Sequence, residues 1–143
     1  MCMVGASYGG YAAAMAAVKT PDLFKCAISF AGVTDLKKLV REARRYVNSK
    51  FVKKQIGDDS DDLEARSPYY QAAKIKTPIL LLHGEDDRVV DVEQSRNFAE
   101  ELGDLGKSVE YIELEDGDHY LSIQRNRHAA FKAMDRFLKQ HLK

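Results

Sequence analysis

Several things are scarce in this sequence, and each scarcity excludes something. Only two cysteines, Cys2 and Cys26, occur among 143 residues. That is too few for a disulfide framework or a four-cysteine zinc site, and both are expected to be buried free thiols. Three prolines and nine glycines exclude collagen-like and low-complexity chains. No apolar run approaches the roughly 18–20 residues needed to span a bilayer, so no membrane partner is expected. Neither sign of charge prevails: 22 Lys and Arg balance 22 Asp and Glu. Nothing in that balance draws the chain toward nucleic acid or anionic lipid. The opening residues lack both the charged and the long apolar region of a signal peptide. Met1 to Gly5 reads as the end of a strand, so the chain is expected to be a partial domain, which leaves its compartment (cytoplasmic or periplasmic) and its oligomeric state open.

What is present is ordinary globular composition, 45% apolar and 31% charged, enough for one domain with a real core. Tyr11 to Val18 is alanine-rich and predicts a helix that stops before Thr20-Pro21. Cys26 to Ala31 is a compact apolar run ending at Gly32, as in a buried strand. Leu36, Leu39, Val40, Ala43 and Val47 recur at helical spacing. Asp58 to Glu64 reads as an acidic loop or the start of a short helix. Pro78 to His83 is apolar until its last residue, the pattern of a parallel strand covered on both faces. A helix over Val92 to Leu105, a strand over Val109 to Leu114 and a helix over Ala129 to Leu142 complete the chain. Strands and helices alternate throughout, which predicts an α/β fold with a mostly parallel sheet flanked by helices.

The most informative motif is Gly5-Ala6-Ser7-Tyr8-Gly9, followed by Gly10. It matches G-x-S-x-G between an apolar strand and a helix, the context of a nucleophile elbow. A serine there sits on a sharp, strained turn, so the positions two before and two after should lack side chains. The helix N-terminus behind it offers free N–H groups to a developing oxyanion, Tyr8 N–H among them. A nucleophilic serine needs a base, and the base needs an orienting carboxylate. Both should lie at C-terminal ends of strands. His83-Gly84-Glu85-Asp86-Asp87-Arg88-Val89-Val90 follows one predicted strand, and Glu115-Asp116-Gly117-Asp118-His119-Tyr120 follows the next. Ser7, an acid near Asp86, then His119 is the chain order of α/β-hydrolase triads.

With these three segments in place, the sequence resembles the prolyl oligopeptidase family of serine peptidases, which includes dipeptidyl- and acylaminoacyl-peptidases. The resemblance covers essentially the whole chain but only the C-terminal half of that family's α/β-hydrolase domain. Residues 1–143 are therefore expected to lack the family's N-terminal strands, its β-propeller and the upstream donor that completes its oxyanion hole. It implies a peptide substrate, no cofactor and no metal. It implies Ser7 as nucleophile, His119 as base and Asp86, the first of an Asp-Asp pair, as orienting acid. Asp87 is the alternative, and Glu85 fits less well because of its longer reach. Arg88 would meet a substrate carbonyl, and Val89 and Val33 would border the pocket for the residue before the cleaved bond. Asp91 departs from the family, which usually has proline there. A carboxylesterase or lipase would share the same elbow, and a catalytically silent fragment would share the sequence.

Other features have simpler readings. His83 is expected to be a packed, hydrogen-bonded structural residue, and His128 and His141 are expected to face solvent. The cluster of His83, Glu85, Asp86 and Asp87 matches no standard zinc ligand spacing. Asp58 to Asp62 lacks the glycine and terminal glutamate of a calcium loop. Leu36 to Lys54 holds eight basic residues against one acid, which predicts a solvated helix face rather than a nucleic-acid site.

Overall fold

The computed structural model describes residues 1–45 and 49–143. Four strands among these residues, β1 (Cys2–Ala6), β2 (Cys26–Phe30), β3 (Ile79–Gly84) and β4 (Val109–Leu114), form one sheet in the order β1-β2-β3-β4. Every pairing is parallel. Among the described residues, six α-helices connect and flank them: α1 (Tyr8–Lys19), α2 (Leu36–Ala43), α3 (Ser49–Ile56), α4 (Ser60–Ala65), α5 (Glu93–Asp104) and α6 (Gln124–His141).

The layering follows from strand periodicity. Successive side chains of a strand point to opposite faces. Ala27, Ile79 and Leu81 therefore pack with Ala14, Val18, Phe98 and Leu102 of α1 and α5. Ile28, Leu80 and Leu82 pack on the other face with Ala130, Ala133 and Phe137 of α6. Helices on both faces explain why β2 and β3 read as unbroken apolar runs and are buried along their whole lengths. A smaller cluster of Leu36, Val40 and Leu63 holds α2 and α4 together, with Val33 packed against it.

Several boundaries differ from the sequence reading. Helix α1 starts at Tyr8 rather than Tyr11, directly behind Ser7. Helix α6 starts at Gln124, five residues earlier than Ala129, with a buried polar residue in its first turn: Asn126 Nδ2 donates to the Glu115 carbonyl at 3.1 Å. The acidic stretch does form a short helix, α4, whose N-cap Asp59 accepts from the Asp62 N–H at 2.9 Å. Val47, assigned to the helical pattern that begins at Leu36, lies outside the described residues, and α2 ends at Ala43.

The expectation of free thiols is corrected. Cys2 and Cys26 are joined in a disulfide, with Cα atoms 4.6 Å apart. They are register partners on adjacent strands β1 and β2, a spacing inside the range a disulfide can bridge. His141 also departs from expectation: it is half-buried, with its ring centroid 4.4 Å from that of Phe137. His128 is exposed as expected.

Candidate active site

The C-terminal ends of β1, β3 and β4 bring three loops to one edge of the sheet. At the end of β1 the chain turns sharply into α1, and Ser7 carries φ 55° and ψ −117°. Positive φ is strained for a residue with a Cβ. The turn is pinned by the Ser7 N–H, which donates to the Phe30 carbonyl at 2.8 Å. A Cβ on Gly5 would overlap the Gly9 backbone, so glycine is required there. At Gly9 itself a Cβ would meet nothing among the described residues, so the steric argument from sequence holds for only one of the two flanking glycines. Gly10 is the second tight position, where a Cβ would press on Ser29 and Gly32. The Tyr8 N–H opens α1, in the first turn where backbone donors have no partner four residues back.

After β3, Gly84 to Asp87 forms a tight turn closed by the Asp87 N–H donating to the Gly84 carbonyl at 3.2 Å. The two corner residues, Glu85 and Asp86, face solvent. The fourth residue, Asp87, comes back over the strand end with its carboxylate fully buried. Its Oδ1 accepts from the Val89 and Val90 N–H groups, both at 2.8 Å. Its Oδ2 lies 2.7 Å from His119 Nδ1. The assignment of the orienting acid to Asp86 therefore needs correction: the turn places Asp87 against the histidine and sends Asp86 outward. Asp86 contributes through its main chain, donating its N–H to the Gly117 carbonyl at 2.8 Å.

After β4, the Gly117 N–H donates to the Leu114 carbonyl at 3.0 Å and closes a second turn. Asp118 then organises the segment around His119 by accepting from the Tyr120 N–H at 3.2 Å, the Ser122 N–H at 2.9 Å and the Ser122 hydroxyl. The Ser122 hydrogen bonds hold the Asp118 carboxyl below its usual pKa. The two loops touch at Gly84, where a Cβ would overlap the Gly117 carbonyl. A further stitch runs from the Glu85 N–H to the Leu114 carbonyl at 2.9 Å. His119 is 9% exposed at its side chain, and its Nε2 stands 3.1 Å from Ser7 Oγ. Hydroxyl, imidazole and carboxylate thus form one hydrogen-bonded chain from three separate crossings of the sheet. With the carboxylate accepting at Nδ1, that nitrogen carries the proton and Nε2 is left to accept from the serine.

A cleft of about 680 Å³ adjoins the carboxylate, lined by Leu39, Ala43, Val52, Arg88, Val89 and Val90 among others. Arg88 and Val89 are exposed at its wall. Val33 is half-buried against the Leu36 cluster and is not among the cleft residues. Arg88 makes no ion pair among the described residues, and both oxygens of Asp87 are engaged by other groups. His83 is fully buried and bonded at both ring nitrogens, as the sequence suggested. Its position beside Asp87 was not legible there.

Comparison with known proteins agrees with this architecture. The profile of the prolyl oligopeptidase family matches residues 1–143. Dipeptidyl aminopeptidase BIII of Pseudoxanthomonas mexicana is 30% identical over 149 residues, covering 99% of this chain and 22% of that protein. A puromycin-hydrolyzing peptidase of Mycobacterium tuberculosis superposes with a TM-score of 0.87 at 32% identity, over 97% of this chain and 21% of the other. The acylaminoacyl peptidase of Pyrococcus horikoshii gives 0.84 at 30% identity, over 98% and 24%. The chain thus spans about a fifth of the length of these relatives. A parallel sheet flanked by helices, a strained serine between β1 and α1, and a match along its whole length place the chain in the prolyl oligopeptidase family, peptidase family S9.

Proposed function

We propose that this chain carries the nucleophile, base and orienting acid of a serine peptidase, and that residues 1–143 form the C-terminal part of its α/β-hydrolase catalytic domain. The observation that carries the reading is the continuous array Ser7 Oγ–His119 Nε2 at 3.1 Å and His119 Nδ1–Asp87 Oδ2 at 2.7 Å. Family membership supports a peptide amide as the bond attacked. So do the names of its relatives, which are dipeptidyl and acylaminoacyl peptidases.

The chemistry follows from the geometry. His119 Nε2 takes the Ser7 proton as Oγ adds to the peptide carbonyl, and the resulting oxyanion lies where the Tyr8 N–H can donate to it. The protonated His119 is stabilised by the Asp87 carboxylate, which stays a carboxylate throughout. His119 then returns the proton to the leaving amine, and the C–N bond breaks to leave an acyl-enzyme on Ser7. Water, deprotonated by the same imidazole, adds to the acyl carbon, and Ser7 leaves with the proton. Arg88 and Val89 stand at the cleft wall, placed to meet substrate on the acyl side.

The test compares an aminoacyl anilide with the matching simple ester. Turnover of the anilide, lost in Ser7→Ala, is the expected result. Turnover of esters alone would make the site an esterase, and turnover of neither would make this chain silent.

A further inference from the structure

We propose that His83 is a positioning residue for this hydrolytic array: its imidazole, protonated at Nε2, holds the Val90 carbonyl and so keeps the turn that carries the Asp87 carboxylate in register with His119. The proposal rests on the reading of Ser7, His119 and Asp87 given above. His83 is the one polar side chain in the sequence Ile-Leu-Leu-Leu-His-Gly of β3, and it is completely buried. Burying a polar ring in such a strand is costly unless both nitrogens are satisfied.

Both are, and the partners fix the tautomer. Nε2 lies 2.8 Å from the Val90 carbonyl oxygen. A carbonyl only accepts, so the proton sits on Nε2. Nδ1 lies 2.7 Å from Ser95 Oγ on α5 and accepts from that hydroxyl. Burial also pushes His83 below its ordinary pKa, consistent with a neutral ring that has one donor and one acceptor.

The Nε2 atom itself stands 3.3 Å from Asp87 Oδ2, the oxygen that receives His119, while its proton goes to the Val90 carbonyl. Oδ2 therefore has an imidazole on each side, His119 toward the serine and His83 toward the core. Oδ1 is held by the Val89 and Val90 N–H groups, and the Val90 carbonyl returns to His83. The turn of residues 87–90 closes on a buried ring that is itself anchored to α5. A carboxylate held at Oδ1 by a turn that is itself anchored to a buried ring keeps its place when His119 becomes charged, and a small misplacement of such a group can cost on the order of 10²-fold in rate.

Two substitutions separate this role from simple packing. His83→Gln keeps an N–H near the place of Nε2, whereas His83→Asn keeps only a group near Nδ1. We would measure the rate of fluorophosphonate labelling, the far-downfield proton resonance of the His119 Nδ1–H···Asp87 hydrogen bond, and the Tm of each protein. His83→Gln is expected to label within about threefold of wild type. His83→Asn is expected to label roughly 10–100-fold more slowly, with the resonance shifted or lost at a Tm similar to that of the glutamine variant. Equal labelling by the two variants, or an unaltered resonance in His83→Asn, would overturn the proposal. Should His83→Asn fail to fold, Ser95→Ala serves instead. It frees Nδ1 without touching Asp87 and is expected to slow labelling roughly threefold to tenfold, and an unchanged rate would again overturn the proposal. If wild type does not label, the hydrolytic reading fails, and the resonance alone decides the role of His83.

Discussion

At the scale of single residues, the site turns on which of two adjacent carboxylates meets His119. The turn from Gly84 to Asp87 sends its corners outward and its last residue inward, so Asp86 is solvated and Asp87 is buried. Asp87→Asn is therefore expected to lower kcat/KM for an aminoacyl amide by about 10³–10⁴-fold, because an amide there favours the wrong tautomer of His119. Asp86→Asn should change it by less than about threefold, as surface substitutions generally do. Equal effects would contradict the assignment. The information was in the sequence: counting a four-residue turn from Gly84 selects Asp87, and an Asp followed by two residues with free N–H groups is a good side-chain cap. Matching the Asp-Asp pair alone pointed one residue too early. His83 yields a pH prediction at the same scale. Burial holds its folded pKa below the ordinary 6.5, so as pH falls through about 6.5 the unfolded chain binds a proton that the folded chain does not. Stability is present above that pH and is lost as pH falls toward the folded value. The urea midpoint of wild type should drop between pH 7 and pH 5, and His83→Gln should show a smaller drop. An equal drop in both proteins would contradict this.

At the scale of elements, the glycines that matter are those where two backbones approach each other. Gly84→Ala would drive the β3 loop away from the Gly117 carbonyl, breaking the stitch that carries Asp87 to His119. It should cost about 1–3 kcal/mol or more and reduce labelling of Ser7 disproportionately. Gly5→Ala should destabilise for the same steric reason at the elbow. Gly9→Ala should leave stability unchanged or raise it by up to about 1 kcal/mol, since the new methyl meets nothing among the described residues and alanine favours helix. Thermal unfolding of the three variants checks the ranking, and a destabilised Gly9→Ala would show that the space is filled. Legibility differed sharply among elements. The runs of β2 and β3 were plain because both faces are covered, whereas the first turn of α6 was hidden because its inward residue is Asn126, bonded to Glu115, rather than an apolar side chain.

At the scale of the whole molecule, the sequence conveyed the alternating α/β plan and the edge on which the chemistry gathers. It did not convey the Cys2–Cys26 bond. Two cysteines form no pattern, and their meeting depends on the register of β1 against β2, which periodicity does not reveal. Nor did it show that a buried ring, a turn and a helix converge behind Asp87, because that convergence joins residues from β3, its loop and α5. Whether Ser7 is the nucleophile of a working relay is tested most directly by mass-spectrometric mapping of the fluorophosphonate adduct. A single adduct is expected on the peptide containing Ser7, absent in Ser7→Ala and slowed in Asp87→Asn. An adduct on another residue, or one that persists in Ser7→Ala, would contradict that role.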